Sequence, residues 1–103
     1  MVKCVCIDDS NKPSEIPVSL WVVKGKEYHI THIYFHHIQF IQGVELRELK
    51  LTEDCYPYES YKLSRFSFSE EGILNLVGLI KECSEMNEVD IYKMLEEELT
   101  PAT

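Results

Sequence analysis

Val2 to Ile7 is a short β-branched run that stops at Asp8-Asp9-Ser10-Asn11, four residues that favour turns by bonding their own backbone. This pattern predicts a first strand and then a loop, with Cys4 and Cys6, two positions apart, on one face of the strand. The loop runs on through Lys12-Pro13-Ser14-Glu15-Ile16-Pro17, where two prolines fix φ and withhold backbone donors, so an extended path is expected. Leu20-Trp21-Val22-Val23 reads as a short strand and Lys24-Gly25-Lys26 as a turn in which Gly25 is free to take positive φ. Tyr28 to Phe35, rich in Ile, Thr, Tyr and Phe, is the next strand. His36 to Gly43 is apolar enough to extend it yet ends on a residue typical of turns and bulges. Val44 to Leu51 resumes as a strand, Thr52 to Tyr58 is a loop, and Leu63 to Phe68 is a last short strand with Phe66 and Phe68 on one side.

After Phe68 the apolar period changes from two to that of a helix. Ser69 has the chemistry of an N-cap, and Glu70 and Glu71 place negative charge in the first turn, where the helix dipole favours it. Ile73, Leu74, Leu76, Val77, Leu79 and Ile80 then give a wide apolar face, Ser84-Glu85-Met86-Asn87 interrupts, and a second helix is predicted from about Glu88 to Leu99. The expected architecture is α+β and mainly β: an antiparallel barrel of four to five short strands over residues 1–68, then an acidic helical extension over 69–103 packed on it as part of one domain. Trp21, Tyr28, Phe35, Phe66 and Phe68 are the candidates for its filling.

A chain of 103 residues has room for one domain and none for separate cofactor and substrate lobes. Its net charge of −8 is the wrong sign for a protein that tracks phosphate backbones, so no nucleic-acid partner is expected. The excess is uneven: residues 1–68 carry nine acids and eight bases, residues 69–103 nine acids and two bases. No run approaches a membrane span, and Met1-Val2-Lys3-Cys4-Val5-Cys6 has none of the parts of a secretory signal, which predicts a cytoplasmic protein without a membrane partner. Its four cysteines are then expected to be reduced.

The stretch Cys6-Ile7-Asp8-Asp9-Ser10-Asn11-Lys12-Pro13, with Glu15-Ile16-Pro17, Trp21-Val22 and Lys24-Gly25-Lys26-Glu27-Tyr28, resembles a family of small uncharacterised proteins from Bacteroidetes and their phages. Leu46-Arg47-Glu48-Leu49, Cys55-Tyr56-Pro57-Tyr58-Glu59 and Ser64-Arg65-Phe66 resemble the second half of that family. The resemblance covers roughly residues 4–66, departs from the family's glycine-richer turn at His36-His37-Ile38-Gln39-Phe40-Ile41, and leaves the helical tail outside it. It implies a small SH3-like barrel and no particular activity.

Four histidines, His29, His32, His36 and His37, fall within nine residues, and imidazole is a common metal ligand. On one continuous strand, however, His32 and His36 share one face and His29 and His37 the other, so they converge only if a bulge intervenes. Cys4-Val5-Cys6 with Cys55 and Cys83 lacks the turn-forming spacing of a zinc knuckle, and buried thiols acting as small hydrophobes are expected instead. Asp8-Asp9-Ser10-Asn11 lacks the alternation and closing Glu of a calcium loop and reads as a turn that holds a neighbouring loop in shape. No metal site and no cofactor are therefore expected.

The surface candidate is the tyrosine-rich segment, Tyr56, Tyr58 and Tyr61, together with Trp21 and Arg65, since Tyr, Trp and Arg dominate interface hot spots and aromatic loops in SH3-like barrels line peptide grooves. The alternative for these residues is packing, with the tyrosines capping the barrel end and Arg65 paired to Glu48 or Glu59. Ile73, Leu76, Val77 and Ile80 form a stripe wide enough to pack on the barrel and offer an edge to a second chain, and Glu96-Glu97-Glu98 loads a helix C-terminus with the charge its dipole disfavours, as if awaiting a basic surface. No phosphate loop or nucleophile motif is present. The expected function is a non-enzymatic protein-binding or self-associating, homodimeric module. The alternatives are a phage or mobile-element accessory protein, implied by the resemblance, and a metal-dependent enzyme using the His29 to His37 cluster.

Overall fold

Strict alternation makes Val2–Cys6 the first strand, β1: Val2, Cys4 and Cys6 are buried while Lys3 and Val5 are exposed. The computed structural model describes residues 1–36 and 40–99. They form a small α+β domain in which β1 lies between β2 (Glu27–His36) and β4 (Phe66–Ser67), with β3 (Phe40–Leu46) outside β2. All pairings are antiparallel, and the four strands curl into a half-barrel. Two helices, α1 (Glu70–Cys83) and α2 (Glu88–Leu99), supply as much regular structure as the strands, so strand does not predominate.

Curvature is concentrated in two register shifts between β2 and β3, one between Ile30 and His32 and one between Tyr34 and Phe35. Bulges of this kind bend the bulged strand and increase its twist. The first sends both Ile30 and Ile33 inward, three positions apart, where an unbroken strand would have turned one of them out. The second lies opposite Gly43, which pairs with Tyr34 while Phe35 pairs with Ile41. Gly43 is there because another segment crosses it closely: a Cβ at this position would sit 2.0 Å from the Ser60 Oγ and 2.9 Å from the Tyr61 carbonyl oxygen. Beside it Val44 and Tyr61 exchange backbone hydrogen bonds at 2.8 and 3.0 Å, so residues 60–61 cover part of the sheet edge that β3 would otherwise expose.

Three of the predicted strands are shorter or differ in kind. Leu20 to Val23 is not a strand: Val18–Leu20 is a 3-10 turn, Leu20 N–H donates to the Pro17 carbonyl, Trp21 N–H to the Val18 carbonyl and Val23 N–H to the Tyr28 hydroxyl, so these three donors are not available to a ladder. The strand expected over Val44 to Leu51 ends at Leu46, after which the Glu48 side chain folds back to accept from the His29 N–H. Leu63–Arg65 is another 3-10 turn, and only Phe66–Ser67 pairs as strand.

Both helices start where the sequence puts them. Ser69 Oγ accepts from Gly72 N–H at 3.0 Å and Asn87 Oδ1 from Asp90 N–H at 2.9 Å, each satisfying a donor that has no partner within its helix. Leu76, Val77 and Ile80 of α1 and Ile91, Met94 and Leu95 of α2 belong to one apolar cluster with Val2, Cys4, Tyr28, Ile30, Ile33, Val44, Leu46 and Phe66. The helices therefore close the half-barrel and share its core. Of the five aromatic filling candidates, Tyr28 and Phe66 are buried, edge to face at 6.2 Å, while Trp21, Phe35 and Phe68 pack at the margin.

Candidate binding cleft

The site begins with the turn after β1. Asp8 Oδ1 accepts from the Ser10 N–H at 2.9 Å and from the Ser10 hydroxyl, which holds the Asp8 carboxyl below the usual carboxylate range. Asp9 Oδ2 accepts from Lys24 N–H, and Asn11 takes φ 58°, a left-handed conformation that Asn tolerates better than most residues. The oxygen-rich cluster shapes a loop, as expected.

Arg65 ties this loop to the opposite side of the domain. Although the residue is only 8% exposed, its Nη1 donates to the carbonyls of Asp8 at 3.1 Å and Ser10 at 2.8 Å, and the Asp8 carboxylate lies 3.6 Å away. Neither Glu48 nor Glu59 pairs with it, contrary to the expectation from sequence. Glu48 instead bonds His29 and Arg47. The guanidinium lies over the Trp21 ring, 4.7 Å from its centroid, and Trp21 Nε1 donates to the Asp9 carbonyl at 2.7 Å. The carbonyl partners carry no sequence signature, which is why this anchor could not be read from residue types.

Between this loop and residues 58–65 lies a cleft of about 320 Å³ whose walls include Trp21, Tyr58, Tyr61 and Arg65. Four of the five residues singled out for partner binding thus come together from separate parts of the chain. They are not equivalent. Tyr58 is 39% exposed and forms an outer wall, whereas Tyr61 is 3% exposed, with its hydroxyl donating to the Leu20 carbonyl at 2.6 Å and its ring tilted against Trp21 at 6.2 Å. Tyr61 is thus a buried floor whose phenol is pushed to a higher pKa, first by desolvation. Tyr56, 76% exposed, is not part of the cleft. Sequence reasoning passed over Pro13, Ile16, Ser60, Lys62 and Ser64, which also line it. The two prolines of the loop were the available signal for Pro13 and Ile16.

The histidines do not assemble. His29 is half-buried, with Nδ1 2.7 Å from Glu48 Oε2, while His32 is exposed, edge-on to Tyr34 at 4.6 Å with Nδ1 3.9 Å from the Cys83 Sγ. The bulge between Ile30 and His32 leaves both outside the core, correcting the expectation that they sit on opposite faces, yet gives them different neighbours. The His36 side chain and His37 lie outside the described residues. Among the described residues no three His, Cys, Asp or Glu side chains are grouped to hold a metal ion. Cys4, Cys6 and Cys55 are buried free thiols and Cys83 is half-buried. Desolvation pushes the Cys4 thiol up to about 12, and its Sγ lies 3.6 Å from the Tyr28 carbonyl, so it behaves as a small core side chain.

The apolar stripe of α1 requires a correction. Leu76, Val77 and Ile80 are at most 3% exposed, because the half-barrel needs a full helix face to cover it, and they offer no edge to a second chain. Ile73 alone remains at the margin, beside Tyr92, Leu95 and Leu99 in a shallow apolar groove. At the end of α2, Glu98 is held above the ordinary carboxylate range, first by burial and then by the charge of Glu97. No helix among the described residues is long and apolar enough to cross a membrane.

Compared with protein-family models, curated proteins and solved structures, the chain matches none.

Proposed function

We propose that the protein is a non-enzymatic binding module, built on an SH3-like half-barrel, that takes an extended segment of a partner protein in the cleft between Trp21, Tyr58, Tyr61 and Arg65. The observation that carries this reading is the convergence of an indole, two phenols and a nine-tenths buried guanidinium on one concavity in an otherwise acidic protein. Flat aromatic walls offer contact area at little entropic cost, and an arginine fixed by backbone carbonyls is oriented before any partner arrives. Neither histidine nor cysteine lines the cleft.

Selection from a random displayed-peptide library against the full chain tests the reading, with the enriched peptides re-measured on Tyr58→Ala. Tyr58 is exposed, so its truncation should leave the fold intact. Loss of binding with an unchanged melting temperature is the expected result. Peptides that bind Tyr58→Ala as well as the wild type, or no enriched peptide at all, remove the cleft as the binding site.

A further inference from the structure

We propose that the cleft selects an extended peptide bearing one acidic and one basic side chain a few residues apart, the acid meeting Arg65 and the base meeting the carboxylates of α2. This rests on the binding reading above and adds the chemistry of the ligand.

Arg65 keeps an unused edge. A guanidinium has five N–H donors, and here only those on Nη1 have partners, the Asp8 and Ser10 carbonyls. Among the described residues Nε and Nη2 bond nothing. No side-chain nitrogen or oxygen there is both sealed from solvent and unbonded, so these two nitrogens reach solvent from a side chain that lines the cleft. The Nε and Nη2 edge is a planar fork matched to a carboxylate, and stacking on Trp21 fixes its plane. Asp8 does not fill that role: its Oδ1 is 3.6 Å from Nη1 and is already held by Ser10. Lys62, also on the cleft wall, adds to the positive field.

Ser64 lines both this cleft and a second hollow of about 400 Å³. There Asp90, Glu97 and Glu98 face a single ammonium, that of Lys93. Among the described residues none of these three carboxylates has an ion-pair partner within 4 Å. The raised position of Glu98 is the mark of an uncompensated acid, and an incoming ammonium or guanidinium would lower it. The two hollows share Ser64 as a wall, so positive charge lies on one side of that residue and negative charge on the other. A peptide laid across Ser64 would meet both with its side chains.

The test is an array of acetyl- and amide-capped octapeptides with one Glu and one Lys, in both orders and at one- to five-residue separations. Glu/Glu, Lys/Lys and uncharged members accompany them, and the full chain is the probe. Selected members are measured in solution. Glu/Lys peptides of a favoured spacing are expected to bind about tenfold or more tighter than Glu/Glu and uncharged ones, equivalent to about 1.4 kcal/mol. Arg65 also anchors a loop, so the decisive variant is the helix-end pair Glu97→Lys with Glu98→Lys, which should transfer the preference to Glu/Glu peptides. Peptides that bind without charge preference, or a preference unmoved by that double variant, overturn the two-ended recognition while leaving the cleft as a binding site. If no capped peptide binds the wild type at all, the binding reading falls with it.

Discussion

Arg65 lies flat against Trp21, guanidinium carbon to ring centroid 4.7 Å, while its Nη1 holds the carbonyls of Asp8 and Ser10. One side chain thereby joins the turn after β1, the segment before β2 and the segment before β4. A buried cation in such a place is tolerated because its Nη1 is bonded to two carbonyls and its face is stacked on Trp21.

Arg65→Lys keeps the charge but has no plane to stack and no fork to span two carbonyls. We expect it to lower the free energy of unfolding by about 1–2 kcal/mol, and Arg65→Met to lower it by more, since the Asp8 and Ser10 carbonyls then lose a charged donor. Urea denaturation measures both. Midpoints equal to the wild type would mean that the stack and the bonds contribute nothing to stability.

Two glycines make opposite predictions. Gly43→Ala places a Cβ against the Ser60 side chain and the Tyr61 carbonyl, and a backbone atom cannot be moved aside without breaking the Val44 bridge. A loss of about 2–4 kcal/mol is expected, comparable to overpacking in a core, together with weakened cleft binding because Tyr58 and Ser60 belong to the displaced segment. At Gly78, within α1, an added Cβ meets nothing within 4 Å, so Gly78→Ala should stabilise by about 0.5–1 kcal/mol through helix propensity. A Gly43→Ala melt at or above that of the wild type would contradict the close crossing at Gly43, and a Gly78→Ala melt below it would contradict the open space at Gly78.

What could be read from the sequence, and what could not, follows from the range of the interactions. The helices depend on local signals, the Ser69 cap and the 3.6-residue period, and their bounds were legible, as were β1 and most of β2. Gly43 announced a turn or bulge but not the chain segment pressed against it, because Ser60 is far along the sequence. Trp21 and Arg65 were legible as interface residue types. That Tyr61 would face inward, and that Leu76, Val77 and Ile80 would be wholly covered, depended on how far the sheet curls, which two bulges decide and no periodicity reveals. The strands lost to 3-10 turns failed for a related reason: short apolar runs do not say which partner will reach their backbone donors.

The cap itself gives a smaller, separable prediction. Ser69→Ala removes the acceptor for Gly72 N–H and should cost about 1 kcal/mol, while Ser69→Asp should restore it, since Asp caps equally well and adds negative charge at the helix start. Denaturation midpoints of the two variants that coincide would show that the cap bond is replaced by water without loss.

Two carboxyls displaced in opposite directions give the domain opposing responses to pH. Glu45 lies below its ordinary value of 4.5, first because Lys50 donates to its Oε1 and then because Tyr34 donates to its Oε2, each at 2.7 Å. The unfolded chain therefore binds this proton more readily than the folded one, so the contribution of Glu45 is present above 4.5 and is lost as pH falls through the lowered folded value. Glu98 lies above 4.5, so the folded chain binds its proton more readily; its contribution is present below 4.5 and is lost as pH rises through the raised folded value. Glu45→Gln should accordingly be less stable than the wild type near neutrality and converge with it in acid. Glu98→Gln should be the more stable of the pair near neutrality, its advantage also vanishing in acid. Urea titrations of both variants and the wild type between about pH 3 and pH 7 decide the matter. A stability difference that does not change with pH, for either variant, would mean that the carboxyl is not held in the environment described for it.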